Sequence, residues 1–279
     1  MTLKEKLVAA GFAEEHVPGG YQLVGDIVLV KFPIGAKIDA AEKKVLAEAI
    51  SGFLPNARVI AEIKRVSGEL RKPQVVVLLS KGKKSLETIH VENGIKFKLD
   101  TRKIMFSKGN MAERARLALK IRPEEIIIDM FAGIGYFSLG LAKNTAAAKI
   151  FAIEKNPVAF KYLKQNIKLN DVTNIVPMRA DCRRARVDER ADRVLMGYFP
   201  DTQKFLPYAF RFLKERGVIH YHNVYREEEM NEKPVAEIKQ AAKRAGYCVL
   251  SLAHHIVKSY APHTFHVVVD VEVEKNEQD

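Results

Sequence analysis

Asp129, Gly133, Gly135 and Glu154 have the residue types and spacing from which a nucleoside pocket is built. An apolar run, Ile126-Ile127-Ile128, leads into Asp129-Met130-Phe131-Ala132-Gly133-Ile134-Gly135-Tyr136-Phe137, and a helical pattern over 139–143 follows. A second apolar run over 150–153 stops at Glu154. Strand, glycine turn, helix, strand and acid, in that order, place a ligand beyond the carboxyl ends of the first two strands of a doubly wound sheet. Gly133 and Gly135 let the backbone turn sharply and come close to that ligand. Glu154 stands where a carboxylate accepts hydrogen bonds from the two hydroxyls of a ribose.

A dinucleotide does not suit this turn. Its fingerprint needs a third glycine so that the helix N-terminus can approach a pyrophosphate, and the third position here is Ser138. Asp129, ahead of the glycines, would repel a pyrophosphate but suits the ammonium of an amino acid. S-adenosyl-L-methionine carries an ammonium, a ribose and no phosphate. The D-x-F-A-G-x-G-x-F string, with Phe131 in it, resembles the first motif of the class I S-adenosylmethionine-dependent transferases, which implies that cofactor.

These residues need elements to hold them in place. From residue 125 onward apolar strands alternate with helical patterns, which implies a parallel sheet. Asn156-Pro157 is a helix start, with Asn as cap and Pro in the first position. Further strands are expected over 175–179, 191–196, 217–224, 247–254 and 267–273, with helices over 111–120, 205–214 and 235–245. The third strand ends at Asp181-Cys182, which places the Asp181 carboxylate for an adenine amino group and the Cys182 backbone amide for a ring nitrogen. The fourth ends at Gly197-Tyr198-Phe199-Pro200.

Residues 1–105 read as a small α+β domain. It has helices over 3–10 and 40–54, strands over 21–32 with a turn at Gly25-Asp26, a strand over 75–79, and a hairpin over 88–99 closed at Asn93-Gly94. The expected fold is therefore α/β: a Rossmann-like class I S-adenosylmethionine-dependent transferase core over 106–279, and a small N-terminal α+β domain as a tRNA contact. The joining loop brings Ser107 and Arg114 to where a methionine carboxylate needs a hydroxyl and a guanidinium.

Composition narrows the partners. A formal net charge of +12 over 279 residues suits a nucleic-acid binder; a solvated lysine-rich surface accounts for it equally well. Lys64, Arg65, Arg71, Lys72, Lys81, Lys83 and Lys84 make the first half basic. Arg179, Arg183, Arg184 and Arg186 form a second basic run, placed to follow RNA phosphates. No stretch has the ~18 uninterrupted apolar residues of a membrane span, and residues 1–6 lack a signal-peptide core. Cys182 and Cys248 are too few for a disulfide framework, which argues for a cytoplasmic protein. No Cys/His spacing calls for a metal. A monomer and a polar tail over 276–279 are expected.

Five separated strings carry a more specific resemblance: V-G-D-I-V-L-V-K (24–31), F-S-K-G-N-x-x-E-R (106–114), D-M-F-A-G-I-G-Y-F (129–137), E-K-N-P (154–157) and S-Y-A-P-H-x-x-H (259–266). Together they resemble archaeal members of two related tRNA-modifying families. One comprises guanine N1-methyltransferases acting beside the anticodon. The other comprises wybutosine-pathway aminocarboxypropyltransferases, which modify 4-demethylwyosine at the same nucleotide. The resemblance implies S-adenosylmethionine held by Ser107, Arg114, Asp129, Phe131, Gly133, Gly135, Glu154, Lys155, Asp181, Cys182 and Gly197. It also implies the anticodon arm of tRNA(Phe) as partner.

The fourth strand separates the two families. The methyltransferases carry N-L-P there, whereas this chain has Gly197 to Pro200; Lys108-Gly109-Asn110 replaces their arginine and proline in the linker. Residues 219–224 also resemble the aminocarboxypropyl branch. That branch implies attack by a base carbon on the methylene next to sulfur in the amino-acid arm, with 5′-methylthioadenosine leaving. Regiochemistry then follows from which sulfonium carbon is aligned, and Gly197 is expected to leave room beside the sulfonium for a rotated arm. Tyr198 and His222 are the candidates for positioning the base. The alternatives are guanine N1-methyl transfer at the same nucleotide and a non-catalytic RNA-binding protein; intact Asp129, Gly133, Gly135 and Glu154 argue against the second.

Overall fold

A computed structural model describes residues 1–68 and 70–277 and divides the chain into two units, Met1–Lys108 and Gly109–Asp279. The division falls at 108/109 rather than at 105/106. The last two residues of the expected polar tail lie outside the described residues.

In the first unit, helix α1 (Leu3–Ala9) opens on a capping box: the Glu5 amide donates to the Thr2 hydroxyl, and the Thr2 amide donates to the Glu5 carboxylate. Strands β1 (Tyr21–Val24) and β2 (Ile27–Val30) form an antiparallel pair across the turn at Gly25-Asp26. Helix α2 (Ala40–Phe53) crosses over, so β3 (Val59–Ser67) pairs with β2 in parallel, and β4 (Lys72–Ser80) closes the order β1-β2-β3-β4. The strand expected over 75–79 is thus longer, and β3 was not expected at all. A separate hairpin of β5 (Glu87–Glu92) and β6 (Ile95–Asp100) turns at Asn93-Gly94. Leu7, Val28, Val30, Leu46, Ile50 and Ile60 bury the apolar faces of helices and sheet together.

The second unit begins with α3 (Met111–Ala118), then β7 (Ile126–Asp129), α4 (Ser138–Asn144), β8 (Lys149–Ile153), α5 (Pro157–Leu169), β9 (Ile175–Met178) and β10 (Ala191–Met196). It continues with α6 (Leu206–Phe212), β11 (Leu213–Arg226), α7 (Lys233–Ala245), β12 (Tyr247–Ala261) and β13 (Thr264–Lys275). Strand order is β12-β13-β11-β10-β7-β8-β9. The five strands from β9 to β11 run parallel, while β13 is inserted antiparallel between β11 and β12. The chain leaves β7 toward β8 on one side and meets β10 on the other, so the switch point lies beyond Asp129 and Met196. The helix expected over 205–214 stops at Phe212, because Leu213 turns back into the sheet opposite Ala191. Strands β11, β12 and β13 all outrun their expected lengths. Among the described residues no helix is long and apolar enough to cross a membrane.

Candidate functional site

Strand β7 delivers Asp129 to the switch point with its side chain fully buried. The Phe131 amide donates to Oδ1 at 3.2 Å, and the Ser138 hydroxyl donates to Oδ2 at 2.7 Å. Burial pushes the carboxyl pKa up to about 6, although the Ser138 and Phe131 hydrogen bonds oppose it. This departs from the expected ammonium contact: the side chain is fully buried, with its oxygens on the Phe131 amide and the Ser138 hydroxyl. Ser138, in the place of a third glycine, is the residue that holds the acid.

A carboxyl whose folded pKa exceeds its unfolded value binds protons more tightly in the folded state, so stability falls as pH rises from about 4 to about 6. The loss is at most roughly 3 kcal/mol, two pKa units at 1.36 kcal/mol each. Asp129→Asn should flatten melting temperature against pH across that window; a slope identical to the parent's would show that Asp129 does not titrate there.

Glu154 follows β8 and ties two elements together. The Gly133 amide donates to its Oε2 at 2.7 Å and the Asn156 amide to its Oε1 at 2.6 Å. Asn156 in turn caps α5, its side chain accepting from the amides of Val158 and Ala159. Burial raises the Glu154 carboxyl above its ordinary range despite these amides. The Lys155 amide also acts on this carboxylate, and the residue is only half-buried, which leaves part of its acceptor capacity for the hydroxyls of a ribose. Gly133 and Gly135 have φ of +58° and +98°, and a Cβ would lie 2.6 Å from the Tyr136 ring at the first and 2.6 Å from Leu139 at the second. The glycines are therefore required by backbone shape and by packing at once.

Asp181 is engaged locally. The Arg183 amide and Nε donate to Oδ1 at 3.0 and 2.9 Å, Arg183 Nη2 donates to Oδ2 at 2.6 Å, and Lys155 Nζ stands 3.6 Å away. Hydrogen bonding from Arg183 holds this carboxyl well below the usual carboxylate range. An adenine amino group would share Asp181 with Arg183. The same pairing corrects the reading of Arg183 as a residue following phosphate: its guanidinium is on Asp181 and over the Phe205 ring at 5.8 Å. Arg211 fastens the loop through the carbonyls of Cys182, Arg183 and Ala185. Burial pushes the Cys182 thiol up to about 12, which leaves it unreactive.

Phe131 and Tyr198 stack at 5.0 Å with 23° between planes, and Phe205 meets both edge-on. This half-buried aromatic wall joins the ends of β7 and β10 to the turn before α6. Phe205 was not singled out from the sequence, where it is one aromatic in an amphipathic helix pattern.

Gly197 departs from expectation. A Cβ there would lie 2.8 Å from Cε2 of Phe137, so the room its missing side chain leaves is filled by that ring. The Phe199–Pro200 peptide after it is cis. His222 also departs: it is buried under Phe137, ring centroids 5.4 Å apart, with Nδ1 3.1 Å from His266 Nε2. Burial, then His266, drives its titration well down, so it is neutral. It faces the protein interior, whereas Tyr198 keeps a half-exposed ring.

Ser107 lies one residue before the end of the first unit, where the Gln22 amide donates to the neighbouring Phe106 carbonyl at 2.6 Å. Arg114 is half-buried on α3 of the second. Among the described residues no group of three or more His, Cys, Asp or Glu could hold a metal ion.

Residues 88–250 match the TRM5/TYW2 methyltransferase domain and residues 3–84 match the TYW2 N-terminal domain. The chain is 43% identical to the tRNA(Phe) (4-demethylwyosine(37)-C(7)) aminocarboxypropyltransferase of Methanocaldococcus jannaschii, over 91% of this chain and 98% of that protein. Its fold matches the structure of M. jannaschii TYW2 in complex with AdoMet at a TM-score of 0.74 and 39% identity, covering 91% and 99% of the two chains. It matches P. horikoshii TYW2 in complex with MeSAdo at 0.82 and 36% identity, covering 98% of each.

Proposed function

This chain belongs to the TRM5/TYW2 methyltransferase-domain family, and from that premise we propose that it transfers the 3-amino-3-carboxypropyl group of S-adenosylmethionine to 4-demethylwyosine beside the anticodon of tRNA(Phe), releasing 5′-methylthioadenosine. The observation that carries this reading is the match to an aminocarboxypropyltransferase along 98% of its length. The protein is an S-adenosylmethionine-dependent transferase that acts on tRNA. The reading extends to a cytoplasmic enzyme working as a monomer.

Bound S-adenosylmethionine supplies a sulfonium with three electrophilic carbons, and the one aligned with the base is the one transferred. The residues present suit that ligand. Glu154 takes the ribose, while its hold on the Gly133 amide keeps the turn in shape. Lys155, Asp181 and the Cys182 amide surround the adenine, and Arg114 takes the methionine carboxylate. Asp129 acts through Ser138 and Phe131, which it holds in place. Tyr198, backed by Phe131, offers its ring to the tricyclic base. The protein supplies alignment rather than a nucleophile.

The test uses tRNA bearing 4-demethylwyosine and cofactor labelled separately in its carboxyl carbon and its methyl. Carboxyl label should enter tRNA while 5′-methylthioadenosine accumulates. Methyl label in tRNA with S-adenosylhomocysteine as by-product would make the chain a methyltransferase.

RNA binding should depend steeply on salt, because Lys and Arg displace counterions from phosphates. With about six phosphates neutralised, affinity should drop ~10³-fold between 50 and 200 mM salt. Lys64, Arg65, Lys83 and Lys84 are exposed on the first unit. Reversing all four to Glu should weaken tRNA binding and shallow the salt slope; a parental slope would remove this face from the RNA interface.

A further inference from the structure

A line of ionic and polar side chains runs through the second unit beneath the strand ends. Arg116 on α3 forks two ways. Its Nε and Nη2 donate to the two oxygens of Glu113 at 2.7 and 2.8 Å, and its Nη1 and Nη2 donate to the two oxygens of Asp270 on β13 at 2.6 and 3.0 Å. Asp270 Oδ1 lies 2.6 Å from Nδ1 of His220 on β11, and His220 Nε2 lies 2.6 Å from Nη1 of Arg193 on β10. Arg193 then forks onto Glu125, just ahead of β7, at 2.7 and 2.8 Å. Its Nη2 also donates to the Lys120 carbonyl at 2.9 Å, which returns the line to the end of α3.

The hydrogen-bond inventory fixes the state of the central imidazole. A guanidinium only donates, so His220 Nε2 carries a lone pair; an ionised carboxylate only accepts, so Nδ1 carries the proton. His220 is neutral and fully used on both nitrogens. Glu113, Glu125, Arg193 and His220 are all buried. His220 stands opposite Leu195, which stands opposite Asp129, so the line is level with the acid that ends β7.

A buried ion pair adds little stability over an apolar pair of the same shape, but it fixes geometry. The Glu113 fork holds the guanidinium against its own helix, and the bidentate fork on Asp270 then ties α3 to β13 in a defined orientation. Arg114 lies on that same helix, two residues from Arg116. We propose that Arg116, Asp270 and His220 are positioning residues that set the seating of α3, and with it the placement of Arg114 at the methionine carboxylate. The proposal rests on the reading of Arg114 as the carboxylate ligand. A displacement of about 1 Å at such a contact can cost ~10²-fold in rate, and in this reaction it also changes which sulfonium carbon meets the base.

Arg116→Lys keeps the charge and loses the forks. It should raise the KM for S-adenosylmethionine about tenfold, leave tRNA affinity unchanged, and increase the share of S-adenosylhomocysteine among the by-products. Glu113→Gln/Arg116→Met/Asp270→Asn removes the charges together, leaves no ion unpaired, and should show the same two changes. Arg114→Lys separates the two readings: an unchanged KM there would refute Arg114 as carboxylate ligand whatever Arg116 does. Cooperative melting in either Arg116 variant with parental KM and parental by-product ratio would overturn the proposal, as would failure of both to fold, which would make the line structural only.

Discussion

Glu154→Ala should weaken S-adenosylmethionine binding by about 30- to 150-fold, the equivalent of ~2–3 kcal/mol for hydrogen bonds to an ionised acceptor. Two losses combine in that figure. The ribose hydroxyls lose their acceptor, and the amides of Gly133 and Asn156, which donate to Glu154 at 2.7 and 2.6 Å, are left without theirs. Glu154→Gln keeps one acceptor oxygen and should fall between the two. 5′-Methylthioadenosine shares the ribose but not the amino-acid arm, so Glu154→Ala should weaken it by a similar factor. Calorimetric titration of both ligands settles the assignment: unchanged affinity for S-adenosylmethionine would remove Glu154 from the site, and a loss confined to S-adenosylmethionine would place it at the amino-acid arm. Because burial raises the Glu154 carboxyl, affinity should begin to decline on acidification at a higher pH than an exposed glutamate would give.

The order of elements in the core was legible because each parallel strand is a short apolar run and each helix a 3.6-residue pattern. The acids at the ends of β7, β8 and β9 were legible for the same reason, since the run stops where the chain leaves the sheet. The depth of a side chain was not. Asp129 ends β7 and His222 lies within β11, just past its last pair with β10, yet one holds Phe131 and Ser138 and the other faces His266. Strand β3 escaped notice because its second half, Lys64 to Ser67, is solvent-exposed and breaks the apolar pattern. Strands β11 to β13 extend through Lys, Glu, Arg and His residues at their ends, where antiparallel pairing rather than burial sustains them. The line from Glu113 to Glu125 contains one local signal, the Glu113–Arg116 spacing of three. Its decisive link, Arg116 to Asp270, spans 154 residues and has no local periodicity.

Gly197→Ala should cost about 1–3 kcal/mol of stability, the usual range for a methyl forced into a filled space, and lower kcat/KM by ~10–100-fold. A Cβ at this position stands 2.8 Å from Cε2 and 3.3 Å from Cδ2 of Phe137, whereas carbon contacts are comfortable at roughly 3.5–4.0 Å. The ring must therefore move. Phe137 is buried with its edge on His222, and His222 is set against His266, which packs on Phe199. Displacement has no slack on that side, so it passes toward the glycine turn, two residues back at Gly135, or into the Gly197–Pro200 segment itself. Both belong to the proposed cofactor site. Gly197→Ala/Phe137→Leu gives the new methyl a smaller, more flexible neighbour and should restore most of the lost melting temperature. Restored stability without restored activity would show that the Phe137 ring itself aligns the reactants. A single Gly197→Ala variant with parental stability and rate would show that the ring yields freely and that the glycine is not required by its contact with Phe137.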